Sequence, residues 1–386
     1  MINKERIIDL TQRLVRAKSE NPPGDEYKSA MIVKKELEKL GLIVNIYEFE
    51  KKRPNVIGIL KGADTTKKSL LITPHLDVVP AGKGWKKHPF SAEYINGKIY
   101  GRGTSDCKGH VAICIEVVKS ILENNQKLNG DLIFAATVDE ETGSRYGLIP
   151  LLEKGILKPT NAIAIDDGDF KIISAQKGVM HLTIKIMGKK AHGAYPHKGI
   201  NAIEIAAKII VDLKTHKFKY KKHNLFEKPT INIGKINGGQ KVNIVADSCI
   251  FELDLRFLPG MNKERILTDI KTIINNYSDE SKIIIDMDQE PYEIDSEHKI
   301  IQKLKQSFKK YNIPANIVGS SGATVISLFK KHNIPSIATG FSVGDLMHAT
   351  DEYVIVDDLV VGAKILEDFI INFFEKKDEK NTKKDI

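Results

Sequence analysis

Residues 75–109 read HLDVVPAGKGWKKHPFSAEYINGKIYGRGTSDCKG. They follow the short apolar run SLLITP at 69–74, which is β-rich and bounded by turn formers and therefore predicts a buried strand. His75 and Asp77 are two residues apart in extended chain, so both side chains would project from one face of the strand's end. A glycine-rich turn then delivers Asp106, just before a predicted helix. Histidine and carboxylates at the ends of strands indicate a metal site.

The composition is that of an ordinary globular protein. With 386 residues, of which 41% are apolar and 28% charged, the chain has room for two domains and a large core. No apolar run approaches the roughly 20 residues that span a bilayer, and the N-terminus lacks the apolar core of a signal peptide. Three cysteines are too few for a disulfide framework. We therefore expect a cytoplasmic protein without a membrane partner.

The net charge of +9 raises the question of nucleic-acid binding. Lysines cluster at 214–222 (KTHKFKYKK) and in the polar tail at 376–386, which we predict to be disordered. The first cluster fits a solvated surface between a helix and the next strand. Lysine is frequent along the whole chain, so we expect no nucleic-acid partner.

The first 177 residues alternate short apolar strands with helical patterns. This alternation predicts an α/β fold, in which helices sandwich a mixed but mostly parallel sheet. Asp139-Glu140-Glu141 follows the strand predicted at 131–138, and Asp166-Asp167-Gly168 follows the strand predicted at 162–165. Open α/β sheets place their ligands at the carboxyl ends of the strands, which is where these acidic residues occur.

The pattern changes over residues 178–289. It reads strand, helix, strand, strand, helix, strand, and this βαββαβ order is consistent with a split βαβ unit on an antiparallel sheet. The α/β pattern resumes over 290–375. We therefore predict a catalytic domain built from residues 1–177 and 290–375, with 178–289 inserted into it as an α+β domain.

Five polar side chains follow strands that we assign to the one predicted sheet: His75, Asp106, Glu141, Asp167 and His348. Each alone has an ordinary explanation, such as a strand cap, a helix N-cap or a loop charge. Together they suit two divalent ions with three protein ligands each, provided that one carboxylate bridges. Nitrogen and oxygen ligands without thiolate favour Zn, Co or Mn.

Two neighbouring positions leave alternatives open. Glu140 lies beside Glu141 and would point in a different direction, which makes it a candidate general base for passing a proton from water to a leaving amine. Asp166 is an alternative to Asp167 as the metal ligand. Cys107 and Cys114 are seven residues apart on one helical face, which favours packing over metal binding.

Six motifs occur in an order and spacing that resemble one enzyme family: HLDVVPAGKGW, NGKIYGRGTSDCKG, VDEETGS, GKKAHGAYPHKGINAI, DLRFLPG and MHATDEYV. The family is that of the zinc metallopeptidases and deacylases, containing acetylornithine deacetylase, succinyl-diaminopimelate desuccinylase, aminoacylase and carboxypeptidase G. The resemblance covers roughly residues 5–375. It implies a metal-dependent amidohydrolase that cleaves the C–N bond of a small N-acyl amino acid or a short peptide with a free carboxylate.

The resemblance also implies a role for each site residue. One zinc would be bound by His75, Asp106 and Asp167, and a second by Asp106, Glu141 and His348. Glu140 would be the general base, and Asp77 would orient His75 from behind, as carboxylates behind metal-binding histidines do.

The inserted domain would be a lid that forms a homodimer. In it, His192 would reach the partner's active site and stabilise the oxyanion. Arg256 would grip the substrate's carboxylate, which a guanidinium does with two parallel hydrogen bonds, and Asn243 would lie beside it.

Other chemistries are not supported by the motifs. GRGTSDCKGH lacks the order of a phosphate-binding loop, and the chain has no HExxH helix and no GxSxG turn. The alternative hypothesis is an inactive homologue that only binds a ligand or partner, which predicts that a metal ligand or the base is missing. None is missing from the sequence.

Overall fold

The strands of the described residues form three separate sheets. The computed structural model describes residues 1–64 and 68–375, and the tail predicted at 376–386 lies outside them. The described residues divide into a first unit (1–64, 68–174, 294–318 and 324–375) and a second unit (175–293 and 319–323). The strands are β1 (Ile43–Glu48), β2 (Pro54–Leu60), β3 (Ser69–Thr73), β4 (Glu93–Ile95), β5 (Lys98–Tyr100), β6 (Asp131–Ala136), β7 (Asn161–Ile165), β8 (Lys171–Gln176), β9 (Gly178–Met187), β10 (Thr230–Gly238), β11 (Ser248–Phe257), β12 (Ser281–Gln289), β13 (Tyr292–Glu293), β14 (Asn316–Ser320), β15 (Ser336–Thr339) and β16 (Tyr353–Ile355).

The α-helices lie between these strands, as the alternating pattern predicts. They are α1 (Lys4–Arg16), α2 (Tyr27–Lys39), α3 (Gly109–Glu123), α4 (Leu148–Glu153), α5 (Ala202–Thr215), α6 (Lys263–Asn275), α7 (Lys299–Lys310), α8 (Ile326–Lys330) and α9 (Val356–Phe374). Among the described residues, no helix combines the length and the apolar composition that crossing a bilayer requires.

The first unit is built on a mixed sheet in the order β1-β2-β6-β3-β7-β15-β8. Strands β6, β3, β7 and β15 are parallel, whereas β1, β2 and β8 pair in the antiparallel sense. Helix α3 is almost wholly buried and packs against α1 and α9. The parallel strands are buried along most of their length, which is why they appear in the sequence as continuous apolar runs. The predicted α/β class is confirmed.

A small three-stranded sheet, β16-β5-β4, lies apart from the main sheet in the same unit. Asp106 follows β5 of this small sheet, so our assignment of all five site loops to one sheet is wrong for Asp106. Strands of three residues carry too little periodicity, and the signal that could have located β4 and β5 is the hairpin turn Asn96-Gly97 between them. Strand β8 also lies where we predicted no element.

The second unit contains the antiparallel sheet β10-β11-β9-β12. Its elements follow one another as β9, α5, β10, β11, α6 and β12, which is the predicted βαββαβ order. Strand β11 alternates buried and partly exposed residues, and its buried face joins α5 and α6 in a core of its own. The short strand β13 pairs with the last residues of β8.

Candidate metal centre

Asp106 lies between two histidines that come from distant parts of the chain. Its Oδ1 lies 2.9 Å from Nε2 of His75, and its Oδ2 lies 3.0 Å from Nε2 of His348. Each carboxylate oxygen therefore faces a different imidazole. This is the arrangement expected of a carboxylate that bridges two cations.

Each side of Asp106 carries one further carboxylate. On the His75 side, Oδ1 of Asp166 lies 3.2 Å from His75 Nε2. On the His348 side, Oε2 of Glu141 lies 3.1 Å from His348 Nε2. Donor atoms about 2.0–2.2 Å from a tetrahedral Zn²⁺ stand about 3.3 Å from one another, so these spacings suit one small cation on each side.

Asp166, and not Asp167, is brought to the cluster. Oδ1 of Asp167 instead accepts a hydrogen bond of 2.7 Å from the backbone N–H of Gly168, and no metal-compatible group of the described residues includes Asp167. Strand β7 ends at Ile165, and adjacent side chains beyond a strand point in opposite directions. The sequence offered two adjacent carboxylates, and our preference for Asp167 is corrected to Asp166.

The orientation of the His75 ring also suits a metal ligand. Its Nδ1 lies 2.9 Å from the backbone carbonyl of Asp77 and donates to that oxygen, so Nε2 is the ring nitrogen that faces Asp106 and Asp166. The Sγ atom of Cys107 accepts a hydrogen bond from the backbone N–H of His75 at 3.1 Å. Burial raises the pKa of the Cys107 thiol to about 12, and its Sγ also lies among the potential donor atoms on the His75 side.

Asp77 connects His75 to the turn that carries Glu140 and Glu141. Its Oδ1 accepts from the backbone N–H of Glu140 and its Oδ2 from that of Glu141, both at 3.1 Å. Oδ1 also lies 3.5 Å from Nδ1 of His75. One fully buried carboxylate thus fixes a metal-facing histidine together with two glutamates.

Further buried polar residues, which we did not predict, surround Asp77 and the turn beside it. Asn21 is buried and donates to Oδ2 of Asp77 at 2.9 Å and to Oγ1 of Thr142 at 2.9 Å. Arg53, also buried, pairs with Asp139 at 2.9 Å and with Glu26. These partners are separated by tens of residues in the chain, so no local pattern could have predicted them.

Burial and mutual repulsion perturb the pKa values of the carboxyl groups in the cluster. Burial raises the pKa of Glu140 well above its usual range, and the neighbouring charges of Asp166 and Glu141 add to the effect. Burial likewise raises the pKa of Asp166 to about 7. Burial opposes ionisation of Asp106 as well, but His348 and His75 hold its pKa well below the usual range. The two acidic partners raise the pKa of His348 to about 10.

These residues fit divalent cations. Buried carboxylates packed together are unfavourable unless a positive charge compensates them. Oε1 of Glu141 is buried and has no hydrogen-bond partner, which leaves one acceptor of the cluster unsatisfied. The donors are imidazole nitrogens and carboxylate oxygens, as Zn²⁺ and Mn²⁺ require.

The remaining predicted site residues lie in the second unit. His192 is exposed, and its neighbour Gly193 donates to the carbonyl of Asn243 at 2.8 Å, which places the His192 and Asn243 segments side by side. Arg256 already makes a two-pronged contact, because its Nε and Nη2 donate to the two oxygens of Asp254 at 2.7 and 2.9 Å.

Comparison with known proteins confirms the resemblance. A profile of peptidase family M20/M25/M40 matches residues 71–372. The chain is 33% identical to acetylornithine deacetylase of Buchnera aphidicola subsp. Acyrthosiphon pisum over 64% of its own length, and it spans 62% of the length of that relative. It is 30% identical to N-formyl-4-amino-5-aminomethyl-2-methylpyrimidine deformylase of Bacillus subtilis, over 98% of this chain and 96% of that one. The crystal structure of aminopeptidase PepT from Bacillus cereus shares the fold, with a TM-score of 0.81 at 23% identity over 97% of this chain and 100% of that one.

Proposed function

The chain belongs to peptidase family M20/M25/M40, and we propose that it hydrolyses the amide bond of N-acyl amino acids or short peptides that carry a free carboxylate. The observation that carries this proposal is the placement of Asp106, whose two oxygens each face one histidine and one further carboxylate. A single carboxylate between two such groups is suited to two cations.

The residues that would hold the ions divide between the two sides of Asp106. His75, Asp106 and Asp166 would bind one ion, and Asp106, Glu141 and His348 the other. We propose Zn²⁺, with Co²⁺ and Mn²⁺ as the alternatives that the donor set allows. Ions bound there would supply Lewis acidity, which polarises the scissile carbonyl and lowers the pKa of an attacking water.

Glu140 is the general base in this proposal. Its carboxylate is not part of either ligand group, yet it is close enough for the charges of Asp166 and Glu141 to raise its pKa. It would take the proton of the attacking water and transfer it to the leaving nitrogen. Asp77 holds the backbone of Glu140 and Glu141 and so fixes the positions of the base and one ligand.

The second unit would recognise the substrate. By family resemblance, Arg256 would bind the substrate's carboxylate, with Asn243 beside it. The Nε and Nη2 atoms of Arg256 are paired with Asp254, so a substrate carboxylate that used this edge would replace Asp254 there. His192 would stabilise the oxyanion in the active site of a partner chain, and residues 178–289 would act as lid and dimerisation domain.

Two further proposals rest on simpler features. Large apolar side chains are exposed on the second unit, including Tyr195, Ile200, Ile236 and Val242, and this supports a homodimer formed through the lid.

The three cysteines are buried free thiols, which supports a reducing, cytoplasmic compartment.

The test is a hydrolysis screen with a defined metal content. Protein stripped with a chelator and reloaded with Zn²⁺, Mn²⁺ or Co²⁺ would be assayed against N-formyl, N-acetyl and N-succinyl amino acids and against di- and tripeptides. We expect turnover only with metal. Glu140→Gln should lower kcat by about 10²–10⁴-fold while the bound metal, measured by mass spectrometry, stays the same.

The matched control is Glu153→Gln, which changes an exposed glutamate at the end of α4 and should leave kcat unaltered. Absence of hydrolysis by every metal-loaded form across the panel would contradict the proposal. For the action of His192 in trans, mixed dimers of Glu140→Gln and His192→Ala chains should regain part of the activity. If mixing restores none, His192 does not act across the dimer.

A further inference from the structure

A buried ion pair, Arg102 and Glu352, lies behind the two loops that carry Asp106 and His348. Nη1 of Arg102 donates to Oε2 of Glu352 at 2.7 Å, and neither side chain is more than 3% exposed. Arg102 lies two residues after the end of β5, and Glu352 directly precedes β16, which pairs with β5. The small sheet therefore holds the pair in place.

Glu352 binds the turn that leads to the bridging ligand. Its Oε1 accepts from the backbone N–H of Ser105 at 2.8 Å and from that of Asp106 at 3.2 Å. Its Oε2 accepts from the backbone N–H of Gly103 at 3.0 Å, in addition to Arg102. A carboxylate with four donors is rigidly held, and it fixes the backbone on which Asp106 is mounted.

Arg102 binds the loop that carries the terminal histidine. Its Nη2 donates to the carbonyl of His348 and its Nη1 to the carbonyl of Ala349, both at 3.1 Å. His348 has a φ of +63°, a left-handed conformation that is unfavourable for a residue with a side chain. The two hydrogen bonds stabilise this conformation, and the imidazole then faces Asp106 and Glu141.

We infer that Arg102 and Glu352 are positioning residues that join the bridging ligand Asp106 to the terminal ligand His348, so that tight binding of the second cation depends on their hydrogen bonds to these two loops. This inference rests on the proposed metal-dependent function. Neither residue touches the cations or the substrate. Their effect is on the geometry of the backbone that carries the ligands.

Substitutions of Arg102 and Glu352 should affect the two ions differently. Arg102→Lys keeps the positive charge beside Glu352 but cannot reproduce the planar fork that binds two carbonyl oxygens. It should lower the affinity for the ion held by Asp106, Glu141 and His348 by about 10–100-fold. The affinity for the other ion should change by no more than about threefold. Glu352→Gln removes one of the acceptor oxygens that bind the backbone N–H groups of the turn before Asp106. It should therefore weaken the binding of both ions, because Asp106 is a proposed ligand of both.

The experiment is a calorimetric titration of chelator-treated full-length protein with Zn²⁺, in which His348→Ala identifies the binding step of the second ion. The control is Arg6→Lys, because Arg6 pairs at 2.6 Å with Glu116, a residue only 3% exposed, elsewhere in the first unit. This control should lower the melting temperature without changing either zinc affinity.

Equal zinc affinities in the wild type and Arg102→Lys would overturn the inference, as would an equal loss at both steps. If the wild-type protein itself fails to bind two ions, the proposed function fails instead. The two failures are therefore distinguishable.

Discussion

Replacing Asp166 with asparagine tests the corrected ligand set most directly. Oδ1 of Asp166 lies 3.2 Å from His75 Nε2, where an ion shared with Asp106 would bind. Two unit charges about 4 Å apart interact by about 4 kcal/mol at an effective dielectric constant of about 20. Since about 1.4 kcal/mol is a factor of ten, Asp166→Asn should weaken binding of this ion by about 10³-fold or more.

The same substitution should have the opposite effect on the metal-free protein. Burial raises the pKa of Asp166 from 3.8 to about 7, so ionising it opposes folding. The protonated carboxyl contributes fully to the free energy of unfolding below pH 3.8, and this contribution is lost as the pH rises to about 7. The pKa shift limits the loss to about 4 kcal/mol. Asp166→Asn has no carboxyl to ionise, so it should not lose this stability.

Zinc calorimetry and thermal melts at pH 4 and pH 8 would measure both effects. The metal-free variant should melt higher than the wild type at pH 8, and the difference should shrink at pH 4. The matched control is Asp167→Asn, because Asp167 lies outside the cluster and accepts a hydrogen bond from the backbone N–H of Gly168. The zinc affinity of this variant should change by about threefold at most. Weaker zinc binding in Asp167→Asn with unchanged binding in Asp166→Asn would refute the assignment.

Three further predictions concern the surroundings of the site. Asn21→Ala removes a buried hydrogen-bond donor from Asp77, so zinc affinity measured by calorimetry should fall about 10–100-fold. The free energy of unfolding, measured with urea, should fall by about 1–3 kcal/mol. Unchanged zinc affinity would show that Asn21 does not support the site. The zinc-induced rise in melting temperature should grow from pH 5.5 to pH 8, because carboxyls with raised pKa values, such as Asp166, must lose protons to bind; a flat profile counts against them as ligands. Ile270→Ala, in the core of the second unit, should cost about 2–5 kcal/mol in denaturant unfolding and leave zinc affinity unaltered; reduced affinity would contradict a site confined to the first unit.

The fold class was accessible from sequence because its main elements are long and strongly patterned. Strands β3, β6 and β7 are buried apolar runs, and β11 alternates, so each carries a signal within its own residues. Strands β4 and β5 are too short for a periodic pattern, and the local signal for their hairpin is the turn Asn96-Gly97 between them, where both residues have positive φ. Strand β16, which pairs with β5, follows more than 250 residues later in the chain.

The sequence by itself determined which residue types are available for the metal site and where they follow strands. His75, Asp106, Glu141 and His348 were identified in this way, because ligand chemistry is a property of side chains. The structure brings all four together.

Only the tertiary structure decided between Asp166 and Asp167, because the direction of a side chain at a strand's end depends on the strand's setting in the sheet. It alone also revealed Asn21 and the pair Arg102–Glu352. Buried polar groups must find partners wherever the folded chain supplies them, and those partners are defined by distance in space and not by distance along the sequence.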